Sequence, residues 1–206
     1  MAKAKTNGKH ESILEAAIRV FANQGYFQST ISQIAREAGV ADGTIYLYYK
    51  NKEDILATFV RQQSARFFDA FAKLEDRQKN ALEKMQLLVR LHFEVSQTDR
   101  HKALVYQVEM RRSPRLMKQE IKEALKMYHD LVGSIVEEGQ QQGSIRHDLQ
   151  LGLVKRMIFA SVDEVITTWV VSGGKYDLVK LAEPLVDMFF RGIGVAGAQT
   201  GQDQVL

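Results

Sequence analysis

Long apolar-patterned stretches with few helix breakers are the feature that most constrains the fold of this chain. Only two prolines, Pro114 and Pro184, occur among its 206 residues. Between the breakers, apolar residues recur every three or four positions, the spacing that places side chains on one face of an α-helix. Apolar residues make up 45% of the chain, enough to enclose a sizeable core. The sequence therefore predicts an all-α fold of about nine helices.

The N-terminal fifty residues contain the pattern of a small three-helix domain. A helix over about residues 11–24 ends at a glycine, and Thr30 with Gln33 forms a capping box that opens a second helix. Gly39 ends that short helix, and a tight turn leads into a third over about 44–49. Two short helices joined by a turn containing glycine are typical of a helix-turn-helix. We therefore predict a DNA-binding domain over residues 1–51 and a second domain over 52–206.

The third helix is predicted to present a polar and aromatic face outward. Ile45 turns inward to the core, and Tyr49, which is followed by the cap of the next helix, is predicted to pack inward as well. Phenols and hydroxyls can donate to phosphate oxygens, a bare glycine lets the backbone approach closely, and lysines add charge at the rim. The outward residues are Asp42, Gly43, Thr44, Tyr46, Leu47, Tyr48 and Lys50.

The positive charge of the chain is concentrated at its N-terminal end. Residues 1–52 carry seven basic and four acidic side chains, whereas the remaining 154 carry 21 of each, so the whole net charge of +3 lies in the first segment. A polyanion could use this surplus. A slightly basic, solvated tail is the plainer interpretation of the charge taken alone.

The last two long helices carry regular apolar stripes. A narrow seam over about 150–172 and a second stripe over about 178–193 can form a four-helix interface between two subunits, so we predict a homodimer. Asp148 and Asp177 are predicted caps, and Pro184 is predicted to kink the last helix. The predicted interface residues are Leu151, Val154, Ile158, Val162, Val165, Leu181, Leu185, Met188 and Phe189.

The stretches at residues 39–53 (GVADGTIYLYYKNKE) and 16–25 (AAIRVFANQG) resemble the signature of the tetracycline-repressor (TetR) family. The resemblance implies a transcriptional repressor with a three-helix DNA-binding domain, a helical effector-binding domain and a dimer that reads a palindromic operator. It implies phosphate contacts by Thr30, Thr44, Tyr48 and Lys52, and contacts with bases or nearby backbone by Asp42, Gly43, Tyr46 and Leu47. Gln33 and Lys50 complete the candidate DNA-binding set.

The chain departs from the family pattern at two positions. Ala41 stands where many members have serine, so a phosphate contact at the start of the third helix is in doubt. Leu47 stands where many have histidine, which favours apolar contact with thymine methyl groups.

A narrower resemblance concerns the effector. The stretches at residues 157–170 (MIFASVDEVITTWV), 175–179 (KYDLV) and 107–113 (QVEMRRS) resemble the fatty-acid-degradation repressors of this family, which implies release from DNA by long-chain acyl-CoA. An acyl chain needs an apolar tunnel and the coenzyme A phosphates need cations. The candidate ligand residues are Phe67, Phe71, Leu88, Leu91, Leu104, Val108, Arg111, Arg112, Arg115 and Trp169.

Other functions are compatible with the same sequence. The fold would suit a sensor of drugs or other hydrophobic compounds, and a helical acyl-CoA carrier is an alternative of a different class. The pattern gives no nucleophile with its base and no metal-ligand spacing among the five histidines, so we expect neither an enzyme nor a metal or cofactor site. Asp163 and Glu164 are neighbours on a helix and do not face one target. No signal peptide or membrane span is visible, so we expect a cytoplasmic protein.

Overall fold

A computed structural model describes residues 2–75, 80–109 and 114–194, and the side chains of all of these except 2–7 and 114–120. Over these ranges the chain is helical, as predicted, and the only β pairing is a single bridge between Ile145 and Gly194. The α-helices are α1 (Ala2–Gln24), α2 (Ile31–Ala38), α3 (Asp42–Ile45), α4 (Lys52–Leu74), α5 (Ala81–Thr98), α6 (Arg100–Leu104), α7 (Pro114–Gln141), α8 (Leu151–Val171) and α9 (Ala182–Ile193). A π-helix (Val105–Glu109) continues α6, and a 3-10 turn (Val179–Leu181) precedes α9.

Helix α2 forms as the sequence predicts, whereas its neighbours differ at their ends. Thr30 is the N-cap of α2 and the capping box with Gln33 is complete, while Gly39 ends the helix in the left-handed conformation at φ 67°. Glycine is favoured there because it has no Cβ to clash with the backbone. Helix α1 begins at Ala2, well before the predicted start at about residue 11, and α3 is a single turn followed by non-helical turns up to Tyr48.

Contacts group the chain into two compact units. The first consists of residues 1–65 and 99–124, and the second of residues 66–98 and 125–206. In the first unit, α1 packs on α2 and on α6, and α2 packs on α3. In the second unit, α5 packs on α8 and α9. The predicted boundary after residue 51 stays a prediction.

Helix α8 turns its predicted interface seam into the core of its own unit. Val154, Ile158 and Val162 are between 0 and 6% exposed, so their side chains have no surface to offer a partner. The structure therefore corrects the predicted interface at these three positions. Leu151, Val165, Leu185 and Phe189 are half-buried, and Leu181 and Met188 are exposed.

The opposite side of α8 is exposed and partly apolar. Leu153 and Met157 lie one turn apart on this face, and Ala160 and Val171 continue it. Met157 is 54% exposed and Met188, on α9, is 71% exposed. Helix α8 therefore has two apolar sides, and the periodicity of the sequence did not reveal which one faces the core.

Two details at the C-terminal helices differ from prediction. Pro184 lies in the first turn of α9, where its missing N–H has no helical partner to lose, so no kink is required. The N-cap of α8 is Gln150, which makes no side-chain capping bond, and the predicted cap Asp148 instead pairs with Arg146 at 3.4 Å. Asp177 does accept a hydrogen bond from the Val179 N–H at 3.2 Å.

Among the described residues, no helix combines the length and the apolar character that crossing a membrane requires.

Candidate nucleic-acid interface

Helix α3 and the turn after it leave two large side chains on the surface. Tyr46 is 58% exposed, and Leu47, at 80%, is the most exposed large apolar side chain in the described part of the chain. Ile45 is fully buried beside them and anchors the turn. Exposing a leucine to water gives the free chain no stability, so this side chain is available for contact with a partner.

Tyr49 fixes the position of that exposed turn. Its side chain is 2% exposed, its ring stacks on His10 at 4.7 Å between centroids, and its hydroxyl donates to the His10 carbonyl oxygen at 3.1 Å. Burial, followed by the charges of Glu11 and Asp54, raises the pKa of this phenol, so it stays a neutral donor. The predicted inward packing of Tyr49 is confirmed. Tyr48 is half-buried and meets His10 edge-on at 6.4 Å.

Asp42 and Gly43 stand at the start of α3. The Ser32 hydroxyl of α2 donates to the Asp42 carboxylate, which sets the start of α3 against α2. A Cβ added at Gly43 would meet nothing within 4 Å, so packing within the chain does not require a glycine there. The exposed backbone at Gly43 can be approached closely from outside.

Thr30 and Gln33 cap α2 with their side chains. The Thr30 N–H donates to the Gln33 Oε1 at 2.8 Å, and the Gln33 N–H donates to the Thr30 Oγ1 at 3.3 Å. Gln33 also donates from Nε2 to the Gln24 Oε1 at 3.2 Å. Thr30 is exposed, Thr44 is half-buried and Lys50 is exposed, so phosphate contacts by these residues stay predictions.

Lys52 holds the turn between α1 and α2. Its Nζ donates to the carbonyl oxygens of Tyr26 at 2.7 Å and Ser29 at 2.8 Å, approaches that of Phe27 at 3.4 Å, and lies 4.5 Å from the centre of the Tyr26 ring. Burial lowers the pKa of this ammonium. The ammonium therefore supports the turn between α1 and α2 in the free chain, and a phosphate contact by Lys52 stays a prediction.

A second support of the same turn was missed by the sequence. The buried Glu109, at the end of the π-helix, accepts the backbone N–H of Tyr26 at 2.8 Å. Lys102 on α6 pairs with Glu15 on α1 at 2.7 Å. Burial, then the charge of Glu53, raises the pKa of Tyr26 to about 12. No local pattern joins residues 26 and 109, so only the packing of the first unit reveals this pairing.

The predicted ligand residues divide between the two units. Phe67, Phe71, Leu88, Leu91 and Trp169 are buried in the second unit. Leu104 and Val108 are half-buried in the first. Arg111, Arg112 and the side chain of Arg115 lie outside the described residues. The indole N–H of Trp169 donates to the Tyr176 carbonyl oxygen at 2.8 Å, which ties α8 to the segment after it.

The second unit also contains a cluster of aromatic and polar side chains that the sequence did not reveal. His92 on α5 and Tyr128 on α7 contact each other at 5.5 Å between ring centroids. Phe67 contacts both, at 5.0 and 6.0 Å, and Phe159 contacts Tyr128 at 5.4 Å. We call these four residues the aromatic cluster.

Asp163 and Glu164 point to different surroundings, as predicted. Asp163 is buried, whereas Glu164 is exposed and accepts the Thr168 hydroxyl at 3.1 Å. Across the described ranges, no three histidine, aspartate or glutamate side chains come together as metal ligands would.

The chain matches two family descriptions that together cover most of its length. Residues 13–58 match the bacterial regulatory proteins of the tetR family, and residues 60–192 match the C-terminal region of YsiA-like proteins. The first match contains the whole segment from α2 to the start of α4 that forms the exposed turn.

Similar proteins with known names are also bacterial regulators. The chain is 41% identical to the fatty acid metabolism regulator protein of Bacillus subtilis over 185 residues, which is 90% of this chain and 95% of that protein. The solved structure of the fatty acid degradation regulator FadR from Bacillus halodurans is 38% identical, covers 89% of this chain and 95% of its own, and superposes with a TM-score of 0.84. FadR from Bacillus subtilis in complex with stearoyl-CoA is 41% identical, covers 89% and 98%, and has a TM-score of 0.82.

Proposed function

Because this chain belongs to the TetR family of bacterial transcriptional regulators, we propose that it represses genes of fatty-acid degradation and leaves its operator when it binds a long-chain acyl-CoA. One observation carries the proposal. The similarity to the Bacillus subtilis regulator extends over nearly the full length of both chains, so it includes the effector-binding part as well as the DNA-binding part.

The exposed turn after α3 supports DNA binding by this chain. Tyr46 and Leu47 project from it, while Ile45 and Tyr49 hold it to the core. A phenol can donate to phosphate oxygens or base edges, and an exposed leucine can contact thymine methyl groups in the major groove. This division between anchoring and projecting side chains is what a recognition element needs.

The acyl-CoA assignment draws on the relative that was solved with stearoyl-CoA. In this chain the second unit contains the buried aromatic and aliphatic side chains Phe67, Phe71, Leu88 and Leu91, which are suited to an acyl chain.

Operator release tests the proposal. A labelled operator, selected from random duplexes with the purified protein, is titrated with the protein at fixed salt and then with stearoyl-CoA. We expect specific retention of the duplex, loss of binding on addition of stearoyl-CoA, and unchanged thioester concentration at the end. Coenzyme A alone is the matched control and leaves the complex intact. A protein that binds stearoyl-CoA but retains no duplex would be a carrier, and hydrolysis of the thioester would indicate an enzyme.

We also propose that the operator-binding form is a dimer in which the exposed apolar face of α8 covers the same face of a second copy. Leu153 and Met157 on this face are exposed in the single chain, as is Met188 on α9. Exposed methionine and leucine side chains one helical turn apart form the kind of surface that a symmetric helical interface buries.

Sedimentation velocity distinguishes this interface from the buried seam. Met157→Glu places a charge on the proposed face and is expected to convert dimers to monomers at micromolar concentration. Met127→Glu is the matched control, because Met127 on α7 is 50% exposed but lies outside the proposed face. A Met157→Glu protein that remains dimeric would contradict the proposed face.

A further inference from the structure

Two side chains of the aromatic cluster carry buried polar atoms that find no partner among the described residues. They are the Nδ1 of His92 and the hydroxyl oxygen of Tyr128. Tyr128 as a whole is only 4% exposed. Buried polar atoms in folded proteins are nearly always hydrogen-bonded, and leaving one unpaired is destabilising. Two such atoms on rings that contact each other indicate that a polar group from outside the chain completes them.

The electrostatics of the pair define which kind of group fits. Burial lowers the pKa of His92 to about 4, so the imidazole is neutral near pH 7. Burial and then the charge of Asp163 raise the pKa of Tyr128, so its hydroxyl keeps its proton. The pair therefore offers neutral hydrogen bonds beside a carboxylate. An anion would find no cation on either ring.

Two apolar rings lie against the pair. Phe67 contacts both rings and Phe159 contacts Tyr128. His129, the next residue on α7, also has an unpartnered ring nitrogen and contacts Phe159 at 5.5 Å between ring centroids. It differs from the pair because the charges of Lys155 and Arg156 act on it. An uncharged oxygen carried on an aliphatic chain matches the pair, because apolar contacts and one or two hydrogen bonds are satisfied together.

We propose that His92 and Tyr128 form a recognition site for an uncharged oxygen of the effector, which for an acyl-CoA is the thioester carbonyl oxygen. This inference rests on the proposed function. The Tyr128 hydroxyl donates to the carbonyl oxygen, and His92 donates to its second lone pair when the ring proton is on Nδ1. The same pair rejects the carboxylate of a free fatty acid. The two residues are therefore specificity determinants of the effector site.

A pair of probes that differ in one oxygen tests the assignment. Stearoyl-CoA and its thioether analogue S-octadecyl-CoA, in which a methylene replaces the carbonyl, are titrated into the full-length protein by isothermal calorimetry. We expect the wild type to bind the thioester about tenfold more tightly than the thioether, as one net hydrogen bond implies. In Tyr128→Phe, where His92 can still donate, the ratio is expected to fall to about three. Tyr176→Phe, which changes an exposed tyrosine of the same unit, keeps the wild-type ratio.

A stability measurement separates recognition from a structural role. Since the Tyr128 hydroxyl has no partner among the described residues, ligand-free Tyr128→Phe is expected to unfold at the wild-type temperature or above it. A lower unfolding temperature would show that the hydroxyl is bonded within the protein and would overturn the assignment. His92→Phe provides a second variant, with the same expected fall in the thioester-to-thioether ratio.

The outcomes separate this inference from the proposed function. If stearoyl-CoA does not bind to the wild type, both fail. If stearoyl-CoA binds and releases the operator, but Tyr128→Phe and His92→Phe keep the tenfold preference for the thioester, only the assignment of the two residues fails. Equal affinity of the wild type for stearoyl-CoA and stearic acid at pH 7 would also overturn it.

Discussion

The turn between α1 and α2 and the aromatic cluster treat buried polar groups in opposite ways. At the turn, Lys52 donates to the carbonyl oxygens of Tyr26 and Ser29, and Glu109 accepts the Tyr26 N–H. In the aromatic cluster, the polar atoms of His92 and Tyr128 have no partner among the described residues. Tyr26 and Tyr128 are both buried, so the difference does not come from burial alone.

This difference indicates that the polar groups of the turn stabilise the fold, whereas those of the aromatic cluster are available to a ligand. A buried polar network whose members are all paired favours one arrangement, because any shift breaks bonds that water cannot replace. Buried polar atoms without partners raise the free energy of the empty protein, and a molecule that pairs them lowers it. We therefore expect substitutions at the turn to affect the unfolding free energy, and substitutions in the cluster to affect ligand affinity.

The largest effect on stability is expected from Lys52→Met. The substitution keeps the length of the side chain but leaves two carbonyl oxygens of the turn without their donor, at a cost of about 2 to 3 kcal/mol in unfolding free energy. Urea denaturation measures it. Lys50→Met is the control, since Lys50 is exposed, and stays within about 0.5 kcal/mol of the wild type. Equal stability of the two variants would show that the turn does not depend on the Lys52 ammonium.

A pH titration of stability gives the next largest effect. The pKa of His92 is about 4 in the folded protein and near 6.5 when unfolded, so the unfolded state binds more protons between these values. The folded state is therefore fully favoured above pH 6.5 and loses stability as the pH falls, by about 2 kcal/mol at pH 5.

The variant His92→Phe is expected to lack the loss of stability that His92 causes at low pH. Denaturation curves at pH 7 and pH 5 measure this difference. His147→Phe is the control, because His147 is exposed. A wild-type protein and a His92→Phe variant with identical pH profiles would show that His92 is solvated.

A smaller effect is expected at Tyr49. Tyr49→Phe removes the hydroxyl that donates to the His10 carbonyl oxygen and costs about 1 kcal/mol of unfolding free energy. Tyr46→Phe, three residues earlier and exposed, leaves stability unchanged and instead lowers operator affinity. Denaturation measures the stability of both variants, and fluorescence anisotropy measures their operator affinity. Together they distinguish an anchoring side chain from a projecting one. An equal loss of stability in both would contradict it.

The smallest effect on stability is expected from Leu47→Ala, because the leucine is 80% exposed and packs little within the chain. We expect Leu47→Ala to change instead which operator bases the protein prefers. A binding series over operators with single substitutions should show altered discrimination at one or two positions per half-site, whereas Tyr48→Phe lowers the affinity for all of them. Parallel affinity curves for Leu47→Ala and the wild type would argue against base contact.

Local signals in the sequence predicted the helix-turn-helix well. The capping box of Thr30 and Gln33 and the stop at Gly39 involve residues a few positions apart. Tyr49 packs inward as predicted, although α3 ends before it. The family resemblance was confirmed by the similarity to known regulators.

Contacts between residues far apart in the chain could not be predicted from the sequence. Helix α8 has two apolar faces, and periodicity cannot tell which one the rest of the chain covers, so Val154, Ile158 and Val162 were assigned to a partner when they belong to the core. Lys52 looked like a surface charge because its carbonyl partners are more than twenty positions away. The pairing of Glu109 with Tyr26, and of His92 with Tyr128, likewise arises only from tertiary packing.

The π-helix sets how the chain would respond to the loss of one residue before Glu109. A π turn accommodates one more residue than an α turn. Losing one residue from Val105–Tyr106–Gln107–Val108 can be absorbed by a return to regular α geometry, which leaves the later residues at about their present angle. Losing one residue from α6 cannot be absorbed in this way and rotates the later residues by about 100° around the helix axis. The Glu109 carboxylate would then point away from the Tyr26 N–H, although every side chain that forms the bond would still be encoded. A single-codon deletion there would thus act as a loss of contact in a protein whose composition had barely changed.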